Sequence, residues 1–273
     1  MKSWNEVETP SIDSSISFPA LSLTNSASGK KEPIKRKPLY RMYVCGITPY
    51  DATHLGHAAT YLTFDLINRY LTASGSEVRY VQNITDIDDP LLERANRDGV
   101  DWTDLAHQQI DLFRSDMINL RVIPPAHYIG AVDAIPLVTD AIEKLSSKDS
   151  IYSVDQDLYF KVRADVQFGQ RSHLSQDKMM EIFAERGGDP TRVGKIDPLD
   201  CLVWMSQRPN EPGWPSPFGI GRPGWHIECT AIAIKYLEPS PSEDALIDIQ
   251  GGGSDLIFPH HEMCAAQAQV LSG

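Results

Sequence analysis

Residues 41–57, RMYVCGITPYDATHLGH, constrain the fold more than any other stretch of the 273-residue chain. An apolar strand at 41–44 meets turn chemistry at 46–53, and apolar residues then recur at helical spacing over 58–71, AATYLTFDLINRYL. Strand, loop and helix N-terminus therefore follow one another directly. The free amide groups and positive dipole end at such a junction suit a phosphate, and Gly56 lets a flat base come close to the backbone. His54 and His57, three apart, can donate to phosphate oxygens.

Gly75 stops the helix and a second strand at 77–81 completes a βαβ unit. NITDIDD at 83–89 then falls at the carboxyl end of that strand, where open α/β sheets place ligands. Asp86, Asp88 and Asp89 there suit either a divalent cation or helix capping. An amphipathic helix follows over 101–120, Pro124-Pro125 marks its end, and 131–145 makes another helix. Residues 151–162 pattern as a hairpin turning at Asp155-Gln156-Asp157. The segment 121–198 thus interrupts the α/β pattern, and within it Gly187-Gly188 of ERGGDP (185–190) reads locally as a helix stop. Core pattern returns as a strand at 199–205, a Pro/Gly/Trp loop at 209–223, a helix at 225–237 and a strand at 244–250. That last strand runs into GGGSD at 251–255, where Asp255 suits ribose hydroxyls, and Pro259 opens a helix bearing His260, His261 and Glu262.

The expected fold class is α/β, a Rossmann nucleotide-binding domain with a parallel sheet and a connective insertion. Its first half covers 39–120, the insertion 121–198 and its second half 199–273. Residues 1–38, rich in Ser, Thr and Pro and then basic at Lys30, Lys31, Lys35, Arg36 and Lys37, are expected to form a flexible extension.

Charge narrows the partners. With 25 Lys+Arg against 37 Asp+Glu the chain carries −12 at pH 7, which argues against a broad nucleic-acid-binding surface while leaving room for a local basic patch. Cys45, Cys201, Cys229 and Cys264 are far apart and form no compact disulfide pattern, so reduced thiols are expected. No membrane span or secretory signal is visible, and a cytoplasmic location is expected.

HLGH after a strand and a Cys-Gly-x-Thr turn resembles the signature of the class I aminoacyl-tRNA synthetases. GWHIEC (224–229) and DIQGGGSDLIFPHHE (248–262) resemble, in the same order, blocks of the cysteine-activating branch. ERGGDP and WPSPFGIGRPGWHIEC (214–229) are similar to the mycothiol ligase branch, whose members join cysteine to glucosaminyl-inositol; the likeness runs from about residue 40 to the end.

This resemblance implies the HUP-like form of the fold and an ATP-dependent cysteine ligase acting through a cysteinyl adenylate, with Mg²⁺ accompanying ATP. It implies His54 and His57 as catalytic residues. Cys45, Gly46, Ile47, Thr48, Thr60, Asn83, Ile84 and Thr85 would line the adenylate, Trp225 would close over cysteine, and Gly253, Ser254 and Asp255 would hold the nucleoside. One Zn²⁺ per chain would sit on Cys45, Cys229 and His260. A glutamate is the fourth ligand in the synthetases, four residues after the first histidine; that position is Cys264 here, so either Cys264 ligates or, as expected, the position stays open for substrate. The KMSKS signature is absent, and the chain is expected to be a fragment of a longer protein. ATP, L-cysteine and glucosaminyl-inositol are the expected partners of a monomer, without tRNA; the alternatives are a cysteinyl-tRNA synthetase and a non-catalytic zinc-binding remnant.

Overall fold

The computed structural model describes residues 1–13, 15–238 and 246–273. In chain order it gives strands β1 (Ser22–Asn25), β2 (Lys30–Pro33) and β3 (Leu39–Val44), helix α1 (Leu55–Ala73), β4 (Glu77–Ile84), α2 (Asp89–Asp98), α3 (Trp102–Asn119) and β5 (His127–Gly130). Then come α4 (Ile135–Ser147), β6 (Ile151–Val154), β7 (Asp157–Phe160), α5 (Gln176–Glu185), β8 (Cys201–Ser206), β9 (Gly221–Pro223), α6 (Trp225–Leu237), β10 (Ile249–Gly251) and α7 (Glu262–Ser272). The chain divides into two units, and the division falls inside α6.

The first unit comprises Met1–Asn25, Lys30–Asp133 and Ala233–Gly253. Its sheet is parallel throughout, in the order β10-β3-β4-β5. β3 lies inside that sheet and buries five consecutive residues after Leu39, the near-continuous apolar run of a strand covered on both faces. Tyr61, Ile67 and Leu71 of α1 share one core with Ile110, Phe113 and Met117 of α3 and with Met42, Val44 and Ile84 of the strands.

The N-terminal segment departs from the expected flexible extension. Trp4 is buried in this core, packs edge-on against Phe113 and Tyr128, and donates from Nε1 to Val122 O at 2.8 Å. The polar composition around it gave no sign of this, because one large aromatic with a satisfied N–H outweighs a run of solvated neighbours.

Two further boundaries move. β5 is a four-residue strand beyond Pro124-Pro125 that pairs with β4, so the parallel sheet continues past residue 120. The strand expected at 199–205 forms as β8, but it pairs antiparallel with β7 and β9. An apolar run specifies a strand without specifying its partner, and this one closes the insertion's sheet. Of the strand expected at 244–250, Asp244 and Ala245 lie outside the described residues, and β10 begins at Ile249.

The second unit comprises Ser26–Gly29, Ala134–Ile232 and Ser254–Gly273, with an antiparallel sheet in the order β6-β7-β8-β9. Asp157, expected in a turn, opens β7 instead, its side chain 1% exposed. Its carboxylate accepts from Arg192 and Arg208, each at 2.6 Å, and from Ser206 N and Oγ. Burial favours the neutral acid, but those donors outweigh it and hold the carboxyl below the usual carboxylate range. A depressed folded-state pKa contributes stability above the unfolded value of about 3.9, lost as pH falls through the folded one. Asp157→Asn should therefore be the less stable protein at pH 7, and its deficit against the parent should shrink below about pH 4; denaturant melts across pH test this.

ERGGDP ends α5 as a helix stop: Gly187 has φ +82° and Gly188 N donates to Phe183 O at 2.8 Å. Among the described residues no helix is long and apolar enough to cross a membrane.

Candidate active site

In the first unit three parallel strands end side by side. Cys45 N continues the ladder by donating to Gly251 O at 3.0 Å, Gly46 N turns to Asn83 Oδ1 at 2.8 Å, and Thr85 N donates to Ile47 O at 3.0 Å. Asn83 Nδ2 in turn donates to Thr85 Oγ1 at 3.2 Å. These bonds draw Cys45, Gly46, Ile47, Asn83, Ile84 and Thr85 into one cluster at the carboxyl edge of the sheet. Gly46 is obligatory there, since a Cβ would lie 1.8 Å from Asn83 O. Cys45 is buried, its carbonyl accepts from Tyr61 and its sulfur from Gln250 Nε2 at 3.4 Å. Thr48 follows in the loop, its carbonyl accepting from Tyr50 N at 3.0 Å, while Thr60 donates back to Gly56 O within α1 at 3.1 Å. Gly253 lies just past β10.

α1 starts on the two histidines. His54 is its N-cap: its Nδ1 accepts from Gly56 N at 3.0 Å, and His57 Nδ1 accepts from His54 N at 3.2 Å, a reciprocal capping box with the rings 4.1 Å apart. Using Nδ1 as acceptor fixes the tautomer of each neutral ring, so the proton sits on Nε2. With no acidic residue in the first turn, the positive helix end and both Nε2–H donors remain suited to an anion.

The acidic residues of 83–89 serve structure. Asp88 caps α2 and Asp86, lifted by burial, accepts from Val132 N at 2.9 Å.

In the second unit, α6 and α7 place a second group of residues. His226, Cys229 and Thr230 recur at i, i+3 and i+4 on α6, while His260, Cys264 and Gln267 follow similar spacing into α7. Thr230 Oγ1 and Gln267 Oε1 are 3.0 Å apart. His226 Nδ1 meets His260 Nδ1 at 3.0 Å, and the Trp225 ring stacks on His260 with centroids 4.5 Å apart. The opposite nitrogen, His260 Nε2, lies 3.7 Å from Cys264 Sγ, and the Cys229 side chain is a further hydrogen-bond partner of the same imidazole.

Burial pushes the His260 ring down, yet the sulfurs of Cys264 and Cys229 lift it well above the ordinary histidine value. Burial and His260 together push His226 well down, and His261 is pushed down to about 3. The contact between the two Nδ1 atoms, which share one proton, aims His260 Nε2 at the sulfurs. Sequence reading passed over His226, although its place beside Trp225 and three residues before Cys229 was the available signal. Cys201 is buried and its thiol pushed far up by burial, leaving it inert.

Two anchors hold this region. Glu262, 1% exposed, accepts from Gly169 N at 2.9 Å, Ser172 N at 2.8 Å and Arg171 at 3.1 Å. Asp255 pairs with Arg186 of ERGGDP at 3.2 Å, beside Ser254 in a short turn.

Residues 31–273 match the family model for tRNA synthetases class I (C), catalytic domain. The chain is 56% identical over its whole length to the L-cysteine:1D-myo-inositol 2-amino-2-deoxy-alpha-D-glucopyranoside ligase of Thermomonospora curvata, covering 65% of that protein. It is 57% identical over its whole length to the ligase of the same name from Kribbella flavida, covering 66% of it. The chain therefore spans slightly less than two thirds of these relatives. Among solved structures, the Mycobacterium tuberculosis methionyl-tRNA synthetase in complex with methionyl-adenylate superposes with a TM-score of 0.61 at 16% identity, over 86% of this chain and 55% of that one. That likeness concerns the fold, α/β with a parallel sheet.

Proposed function

The chain belongs to the catalytic-domain family of the class I (C) tRNA synthetases, and on that premise we propose that the protein containing it joins L-cysteine to the amine of glucosaminyl-inositol. ATP is consumed through a cysteinyl adenylate, with Mg²⁺ on its phosphates, and AMP and diphosphate leave. The carrying observation is the His260 ring, aimed by His226 and flanked by the thiols of Cys229 and Cys264. The relatives at 53–58% identity, which bear the ligase name, support the acceptor.

An imidazole with thiols fits zinc by the softness of its donors, and Cys45, Cys229 and His260 would hold it. Zinc held there would supply a soft Lewis acid that favours a thiolate over a hydroxyl, so these residues would select cysteine over serine. The Nε2–H groups of His54 and His57 would donate to ATP phosphate oxygens as the cysteine carboxylate attacks the α-phosphate. Cys45, Gly46, Ile47, Thr48, Thr60, Asn83, Ile84 and Thr85 line the adenylate, Trp225 covers the cysteine, and Gly253, Ser254 and Asp255 hold the nucleoside. The amine of the sugar then attacks the mixed anhydride, forming the amide as AMP departs.

The full-length protein, given ATP, Mg²⁺ and cysteine, should release AMP on addition of glucosaminyl-inositol, with a new amide product. Cysteinylation of tRNA in its place would overturn the acceptor, and silence with both would overturn the enzyme.

The two roles of His54 separate by substitution. His54→Asn retains a good cap and should cost under about 0.5 kcal/mol, whereas His54→Ala should cost about 1 kcal/mol. Both lose the Nε2–H donor and should slow ATP–pyrophosphate exchange by the order of 10²-fold. Full exchange activity in His54→Asn would restrict His54 to capping.

A further inference from the structure

Within the first unit, the connection from β3 to α1 (45–54) carries the histidine pair, and one bond near its far end lies outside the helix cap. At the near end Gly46 and Ile47 are tied to the end of β4 and the residue after it. Tyr50, Asp51 and Ala52 are then exposed. Thr53, half-buried, brings the chain back: its Oγ1 donates to Asp116 Oδ2 of α3 at 2.7 Å. Asp51 also pairs with Arg94 of α2 at 3.0 Å, but its carboxylate faces solvent, where such a pair contributes little.

We propose that Asp116 is a positioning residue for the histidine pair and acts through Thr53. This rests on the reading of His54 and His57 as donors to ATP phosphate oxygens, and it names the group that aims them. Asp116 comes three residues after Phe113 and one before Met117, both buried in the core that α3 shares with α1, and Phe113 meets Tyr61 of α1 edge-on at 5.1 Å. Its carboxylate is therefore fixed to the frame on which α1 rests. The bond to Thr53 anchors a stiff, β-branched side chain, and the carbonyl of Thr53 shares a rigid peptide plane with the N–H of His54. With Thr53 held on one side and the helix start on the other, that plane has little freedom. The His54 N–H donates to His57 Nδ1 at 3.2 Å, while His54 Nδ1 accepts from Gly56 N at 3.0 Å. Setting the plane thus sets both rings, and with them the direction of both Nε2–H groups.

A hydroxyl on a carboxylate makes a charge-assisted bond, stronger than a neutral one, so it can hold a loop whose neighbouring residues are solvated. Charge and bond make opposite predictions here. A carboxylate acting by its charge alone would oppose a phosphate at the start of α1, so its removal would strengthen ATP binding. One acting through Thr53 is needed for the rate whether or not it is charged, provided an oxygen accepts from the hydroxyl. Because the histidine donors act on charge that develops in the transition state, misaiming them lowers kcat more than it raises KM. Cysteine, held by other residues, keeps its KM.

Steady-state ATP–pyrophosphate exchange by the full-length protein tests this. Thr53→Val removes the hydroxyl and keeps both the shape and the Asp116 charge; it and Asp116→Ala should each lower kcat by about 10-fold with KM for cysteine unchanged. The double variant should be no slower than either single one, since both break the same bond. Thr53→Ser keeps the donor and Asp116→Asn keeps an acceptor, and each should hold kcat within about twofold of wild type. Should Asp116→Ala fold poorly, Thr53→Val against Thr53→Ser carries the test alone. Wild-type kcat in Thr53→Val, losses that multiply in the double variant, or an Asp116→Asn as slow as Asp116→Ala would overturn the role of Asp116 and leave that of His54 intact. Full exchange in His54→Asn would instead overturn the donor reading on which it rests.

Discussion

Gly46→Ala is expected to destabilise the protein by about 3 kcal/mol or more, at the upper end of overpacking costs, and to abolish adenylate formation. The new Cβ would meet Asn83 O at 1.8 Å and the carbonyl carbon at 2.7 Å, and both belong to a backbone fixed in the sheet. A long side chain can rotate away from such a clash, but a carbonyl within β4 cannot. Relief requires β3 and β4 to part at their carboxyl ends, which also breaks the bond from Gly46 N to Asn83 Oδ1 and that from Thr85 N to Ile47 O. Thermal unfolding should fall by roughly 6–12 °C, taking about 2–4 °C per kcal/mol. ATP–pyrophosphate exchange by the full-length protein should vanish even at temperatures where the variant remains folded. A variant with wild-type melting and exchange would show that the turn relaxes freely.

Glu262→Ala should cost about 3–5 kcal/mol, the range for removing one member of a buried charged network. Three donors from one loop, Gly169 N, Ser172 N and Arg171, converge on this carboxylate; Arg171 keeps Asp165 at 2.8 Å, but the two amides lose their acceptor. The loop would detach from the start of α7, and the turn carrying His260 would lose its brace. Glu262→Gln retains an acceptor oxygen of the same reach and should lose roughly half as much. Melting curves of the three proteins, together with zinc content after dialysis, would separate the cases. Equal stability of Glu262→Ala and wild type would mean the loop holds itself in place.

The alternation of β3, α1 and β4 was legible because each element's pattern is local: an apolar run, a turn rich in small and polar residues, a helical face. The cluster of Cys45, Gly46 and Asn83 follows from it, since parallel neighbours bring their carboxyl ends together. Glu262 was different. Its burial depends on donors some 90 residues earlier, and no local pattern marks an acidic residue as interior. Asp157 was hidden in the same way by Arg192 and Arg208, and read as a turn because aspartate is common in turns. β5 was too short for periodicity to register, and the antiparallel partners of β8 are a property of the assembled sheet. His226 was visible but unassigned, because its effect passes through His260.

The strand order β10-β3-β4-β5 also sets a timetable. β3, β4 and β5 can pair once residue 130 has been made, whereas β10, which closes the other side of β3, is not available until residue 251. At about 5–20 residues per second of synthesis, that edge of β3 waits on the order of 10–40 s with its hydrogen-bonding groups unpaired. Cys45 N depends on Gly251 O for its partner, so the carboxyl end of the sheet is the last part of it to set. A nascent chain arrested before residue 249 should therefore carry a folded three-stranded sheet with an adhesive edge, a substrate for chaperones that the completed chain is not.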